Sequence, residues 1–152
     1  MEIKSLNPSQ FVKLKKSLLQ FVISHGERKI TSRAIQWIKE LEPLKLDQPG
    51  YFLLIAAEEK KLLGLTAVAN YGTEESFVVV HKRERQQGIS QEMIKFLFQQ
   101  IDKIYGRVSL DNIPSIKMCL SMGMVGFKLV EGPTGKPTMW FARGNWNPKD
   151  VE

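Results

Sequence analysis

The stretch Ser76-Phe77-Val78-Val79-Val80-His81-Lys82-Arg83-Glu84-Arg85-Gln86-Gln87-Gly88-Ile89-Ser90 changes character twice. It opens as an unbroken apolar run, which reads as a strand covered on both faces. A polar, basic loop follows from His81 to Gln87. Gly88 then leads into Met93, Ile94, Leu97, Ile101 and Ile104, whose spacing predicts one side of a helix, with Phe96 and Phe98 packing beside the stripe. A strand, a short loop and a helix start together make a seat for an anion. The first N–H groups of a helix have no internal acceptors, and the helix dipole places partial positive charge there. Gly88 allows close approach to the backbone, and the small Ser90 leaves room beside it. The loop fits neither the spacing of a P-loop nor the three-glycine dinucleotide fingerprint. What it does fit is Arg/Gln-x-x-Gly-x-small, running from Arg85 through Gln86, Gln87, Gly88 and Ile89 to Ser90.

Working upstream, Met1 to Leu6 reads as a short strand. Asn7-Pro8-Ser9-Gln10 has the form of a capping box with Pro at the first helical position. Phe11, Leu14, Leu18 and Phe21 follow at helical spacing, and Gly26 is expected to stop that helix in a left-handed conformation. A second helix is expected from Thr31 or Ser32, with Ala34, Trp37, Ile38 and Leu41 on one face. Tyr51–Ala57 and Leu62–Ala69 flank the polar Glu58-Glu59-Lys60-Lys61, which predicts a hairpin.

Downstream, Arg107-Val108-Ser109-Leu110 reads as a fifth strand, and Asp111-Asn112-Ile113-Pro114-Ser115-Ile116 opens a short helix. Met118, Met122 and Met124 crowd that helix, where filling a core suits them better than shaping a ligand. A last strand over Pro137–Arg143 follows the turn Gly132-Pro133-Thr134-Gly135, and Trp146 and the polar tail are expected to fray.

Composition bounds the possibilities. The chain has 152 residues, 43% apolar and 25% charged, which suits one domain spanning 1–152. One cysteine, Cys119, can neither close an internal disulfide nor build a zinc cage, so no metal is expected. No apolar run is long enough to span a bilayer and the start lacks a leader pattern, which points to a cytoplasmic protein without membrane contact. The net charge of +6 fits either a scattered solubilising surface or a polyanionic partner. The basic residues form no long stripe, which disfavours nucleic acid and favours a small ligand bearing several phosphates.

In this order the motifs resemble the GNAT N-acetyltransferase superfamily. The Arg85–Ser90 loop is similar to the family's coenzyme loop. Asn112-Ile113-Pro114-Ser115-Ile116 resembles its Asn-x-x-Ser/Ala-Ile/Leu motif, and Gly123-Met124 its closing Gly-Phe pair. Two helices and then a hairpin bearing Gly64 look like its opening elements, so the resemblance covers essentially the whole chain. It implies an α+β fold: a mixed, mostly antiparallel sheet of six to seven strands, splayed between strands 4 and 5 and flanked by four helices. Acetyl-coenzyme A would enter the splay. Its pantetheine would pair with Val78, Val79 and Val80, and its pyrophosphate would meet the amides from Arg85 to Ser90. Asn112 and Ser115 match positions that contact the coenzyme, although Asn112 also reads as a helix cap and Ser115 as cover for the first turn.

The implied activity is acetyl transfer to a primary amine of a small molecule or a protein N-terminus. The alternatives are an acyl-coenzyme A sensor with little catalysis, or a basic RNA-binding domain. Many family members place a Tyr acid seven residues after the motif Asn, where this chain has Cys119, a residue that also suits packing. Some relatives that acetylate protein N-termini likewise keep the motif Ser and lack the Tyr. Glu74 stands eleven positions before Arg85, matching a general base of histone-type relatives, and equally reads as a solvated turn beside Glu75. The final hairpin is implied to wall the acceptor site, with Trp140 and Phe141 against substrate. Unpaired edge strands are compatible with a homodimer.

Overall fold

The computed structural model describes residues 1–132 and 135–152, with residues 28–31 described by backbone alone. The expected turn at Gly132–Gly135 therefore lies partly outside the described residues. β1 (Glu2–Ser5) precedes α1 (Pro8–His25), whose start is fixed locally. Asn7 Oδ1 accepts from the Gln10 N–H at 2.8 Å, while Gln10 Oε1 accepts from the Asn7 N–H at 2.9 Å. Such a box stabilises a helix by about 1 kcal/mol. α1 buries Phe11, Leu18, Phe21 and Val22. It ends where the Gly26 N–H reaches Val22 O, but Gly26 is extended (φ −71°, ψ 144°) rather than left-handed. The chain needs no reversal there, because α2 (Arg28–Glu40) begins two residues on, a full turn before Thr31 or Ser32.

β2 (Phe52–Glu58) and β3 (Lys61–Ala69) form the expected hairpin, paired at Glu58–Lys61. Both turn residues are left-handed, Glu59 at φ 49° and Lys60 at φ 68°, the twist that suits a two-residue connection. β4 (Glu75–Val80) completes a four-stranded sheet of order β1-β2-β3-β4. Leu53, Ile55, Leu65, Ala67, Phe77 and Val79 face α1 and α2, with Trp37 edge-on to Phe77 at 5.8 Å. Leu54, Ala56, Leu63 and Val68 pack with α3 (Ile89–Phe98) through Ile89, Met93 and Leu97. Two covered faces explain the consecutive apolar residues. β4 departs from that pattern: Phe77 and Val79 are buried, whereas Val78 and Val80 are half-buried because their face opens on a cleft.

α3 stops at Phe98, so Ile101 and Ile104 do not belong to its stripe. The Gln100 and Ile101 N–H groups both turn back to Leu97 O, and Ile104 already lies in β5 (Lys103–Ser109), which starts four residues before the expected Arg107. α4 (Ile113–Ser121), β6 (Val125–Glu131) and β7 (Pro137–Gly144) follow. β7 runs between β5 and β6 in a second, three-stranded sheet. The expected mostly antiparallel sheet of six to seven strands has seven, divided four and three, and among the described residues every strand pairing is antiparallel.

The two sheets part between β4 and β5, as expected. They meet at one end, where Gly72 lies on the backbone of Tyr105 and Gly106 stands near Ser76. Tyr105 and Trp140 belong to the second sheet's core, and Phe141 is also buried, so Trp140 and Phe141, expected on the wall of the acceptor site, are packed into the fold. The tail is held rather than frayed. The Tyr105 hydroxyl receives the Asn147 N–H and bonds the Asp150 carboxylate, and Trp146 packs on Phe127 with ring centres 4.7 Å apart. Among the described residues no helix is long and apolar enough to cross a membrane.

Candidate functional site

At the open end of the splay lies a cleft of about 420 Å³. One wall is β4, through Val78, Val79 and Val80. β4 pairs with β3 along one side, and among the described residues its other side carries no strand. The floor is the loop before α3, with Arg85, Gln86, Gly88, Ile89, Ser90 and Gln91. The opposite wall is the start of α4, with Asn112, Pro114, Ser115 and Met118. Of the residues read from sequence as coenzyme contacts, all line this cleft except Gln87.

The loop is shaped by two left-handed residues, Gln86 at φ 65° and Gly88 at φ 80°. Among the described residues, the N–H groups of Arg85, Gln86, Gln87 and Gly88 donate to no backbone carbonyl. The unpaired amides of α3's first turn follow, so successive donors line a concave turn suited to an anion. A Cβ built on Gly88 would meet nothing within 4 Å, so the space over the loop is open. This is a cradle of a kind that fits a diphosphate.

Asn112 caps α4: its side chain accepts from the Ser115 N–H at 3.4 Å. Ser90 Oγ reaches Met118 Sδ at 3.7 Å, joining the start of α3 to the second turn of α4 in the cleft lining. Met118 therefore faces the cleft, and α4 buries none of its residues fully. Met118 lies three positions after Ser115, on the same helix face, a spacing that marks it once Ser115 is placed. No such signal marks His25, the last residue of α1, and Glu27, just before α2, which also line the cleft. Arg85 donates from Nη2 to the His25 carbonyl at 2.7 Å and lies 3.9 Å from Glu27.

The two residues read as catalytic lie outside the cleft lining. Glu74 borders a separate depression of about 230 Å³ with Trp37, Glu40, Glu42 and Tyr51. The Tyr51 hydroxyl donates to Glu74 Oε2 at 2.8 Å; burial, and then this bond, push the phenol up to about 12. Burial pushes the Cys119 thiol up to about 11, so it is protonated at neutral pH. Giving that proton to a thiolate of ordinary pKa near 8.5 is disfavoured by roughly a few hundredfold. Among the described residues no group of three His, Cys, Asp or Glu side chains is placed to hold a metal ion.

A family model described as an acetyltransferase (GNAT) domain matches residues 24–116, well over half of the chain. The chain belongs to the GNAT acetyltransferase family. Acetyltransferases of this family use acetyl-coenzyme A. No curated protein matches the sequence.

Solved structures show the same fold as this GNAT chain. A GNAT-family acetyltransferase from Bacillus cereus is 14% identical, with 96% of this chain and 98% of that one covered at a TM-score of 0.66. An acetyltransferase structure from Salmonella typhimurium, determined with its cofactor acetyl-CoA, is 13% identical, with 97% and 95% covered at 0.61. A ribosomal-protein-alanine N-acetyltransferase from Brucella melitensis is 14% identical, with 95% and 99% covered at 0.60.

Proposed function

We propose that this GNAT chain moves an acetyl group from acetyl-coenzyme A to a primary amine of a small molecule or a protein N-terminus. The observation that carries the reading is the convergence, in one cleft, of the unpaired loop amides, the open side of β4 and the α4 start. The coenzyme supplies an acetyl group already activated as a thioester. The chain supplies position. Arg85–Ser90 hold the diphosphate on main-chain donors, the peptide groups of Val78–Val80 extend the sheet ladder to the pantetheine arm, and Asn112 and Ser115 close the far wall. Aligning two reactants in this way removes much of the barrier to their reaction.

The attacking amine must be neutral, and Glu74 is the proposed proton acceptor. Four residues of extended chain, about 13 Å, separate Glu74 from Val78, so the proton travels through water or along a substrate that spans the gap. Given the thiol's disadvantage as a donor, Cys119 is assigned to packing α4, and solvent protonates the leaving thiolate. The presence of a ribosomal-protein-alanine N-acetyltransferase among similar folds supports an N-terminal amine as one acceptor class. A single free thiol suits a reducing compartment, and we place the protein in the cytoplasm.

The test is calorimetric titration with coenzyme A, followed by release of free coenzyme thiol from acetyl-coenzyme A against a panel of amines and N-terminal peptides. Binding with turnover is expected. Binding without turnover on any amine would leave the sensor alternative, and no binding at millimolar coenzyme A would remove both.

A further inference from the structure

The loop that forms the anion cradle is tied to α1 by two histidines. His25 Nδ1 accepts the Lys82 N–H at 3.2 Å, and the His25 carbonyl accepts from Arg85. His81 Nδ1 accepts the Arg83 N–H, also at 3.2 Å. The two rings stack with centroids 3.9 Å apart, and Phe21 backs His25 at 4.8 Å. A ring nitrogen can accept a hydrogen bond only while it carries no proton. Both bonds therefore require neutral imidazoles. We infer that His25 is a positioning residue for coenzyme binding: its neutral ring pins the Lys82 amide and holds the phosphate loop open, and protonation releases it.

The surroundings favour the neutral, pinned form. Around His25 stand His81, Lys82 and Arg85 from the loop and Lys61 from the start of β3, with the loop's Arg83 next in chain. The nearby acids are engaged elsewhere, Glu84 with Lys61 at 3.2 Å and Glu27 facing Arg85 at 3.9 Å. Burial and these cations lower the His25 pKa, so release belongs below the ordinary imidazole range.

Protonation has two opposed effects on a bound phosphate. It adds a positive charge, screened at this half-exposed position, and it turns an acceptor into a donor aimed at the Lys82 N–H. A donor facing a donor forfeits the bond, and this effect outweighs the screened attraction. The expected result is coenzyme binding up to a few-fold weaker at pH 5.5 than at pH 8, because a lowered His25 pKa leaves part of the rings neutral there.

This inference rests on the coenzyme occupying the cleft, so it is tested with and without ligand. In ligand-free protein, hydrogen exchange at the Lys82 amide, corrected for intrinsic pH dependence, is expected to be protected at pH 8 and to lose part of that protection at pH 5.5. In His25→Asn the amide oxygen can take the Lys82 proton but does not titrate, so Lys82 stays protected at both pH values. Coenzyme A titrations on both proteins give the functional readout. The ligand's own terminal phosphate titrates near pH 6 in either case, so the measure is the difference between proteins. Wild-type binding should weaken more at acid pH than that of H25N. Equal pH dependence in the two proteins, or stronger wild-type binding at acid pH that H25N lacks, overturns the inference. So does a Lys82 amide unprotected at pH 8. Amide protection behaving as expected without any coenzyme binding would instead remove the proposed function and leave the clasp in place.

Discussion

Gly72 rests directly on the peptide group of Tyr105, so closely that a Cβ on Gly72 would overlap the Tyr105 carbonyl oxygen. Gly72 also sits at φ 93°, where a side chain is strained whatever the space around it. This contact bridges the turn after β3 and the middle of β5, and so joins the two sheets at the closed end of the splay. Gly72→Ala is expected to cost about 3 kcal/mol or more, combining backbone strain with displacement of β5. For a chain of this size that lowers the melting temperature by about 6–12 °C, measurable by calorimetry. A melting temperature within a degree of wild type would show that the joint is soft.

Gly88 presents the opposite case, left-handed but with open space above it. Gly88→Ala should lose only about 1 kcal/mol, from conformational strain at the helix cap. Gly88→Glu places a carboxylate in the cradle and should weaken coenzyme A binding by about a hundredfold or more with little further loss of stability. Titration of both variants separates strain from occlusion. Equal affinities for the two would move the phosphate seat elsewhere.

The raised Cys119 pKa can be read from reactivity. A thiol near 11 is about one-thousandth ionised at pH 8, against about a quarter for an ordinary cysteine. Alkylation by iodoacetamide at pH 8 should run roughly a hundredfold slower than on a free thiol and accelerate with pH up to the region of 11. Cys119→Ala should leave coenzyme affinity and the pH–rate profile nearly unchanged. A lost basic limb in that profile would instead return the thiol to the chemistry.

Glu74→Gln keeps an acceptor for the Tyr51 hydroxyl and removes the proposed base. The turnover rate at neutral pH should fall by about a hundredfold or more, with coenzyme affinity held within about twofold. An unchanged rate excludes this carboxylate from proton transfer.

Hydrogen bonding from Tyr105, and then from Lys103, holds the Asp150 carboxyl below its ordinary 3.8. A lowered folded value means that the group stabilises the fold fully above 3.8 and loses that contribution as pH falls through the folded value. Asp150→Asn should therefore melt below wild type at pH 7, with the gap closing at more acid pH. A gap independent of pH would mean that shape, not charge, ties down the tail.

The parts of this fold legible in the sequence are those set by near neighbours. Asn7 and Gln10 are three residues apart, and the β2–β3 turn needs only Glu59 and Lys60. The boundary after Phe98 is hidden because Ile101 and Ile104 continue a helical spacing, although they reach the cluster of Leu54, Val68 and Leu97 from the turn and from β5 rather than from α3. Trp146 looked like part of a loose tail since its partner, Phe127, is a surface-strand residue nineteen positions earlier. The cleft itself was largely readable, because its floor is one contiguous loop. His25 was not: it is 57 residues from the amide it receives, and no local pattern announces that bond.

A ligand seat built from peptide groups asks for a shape of chain more than for particular side chains. Most side chains of the Arg85–Ser90 loop could change while the turn kept its donors in place, provided positions 86 and 88 still accepted a left-handed backbone. The Bacillus cereus structure, with about one residue in seven in common, keeps the main-chain fold over 96% of this chain while most side chains differ.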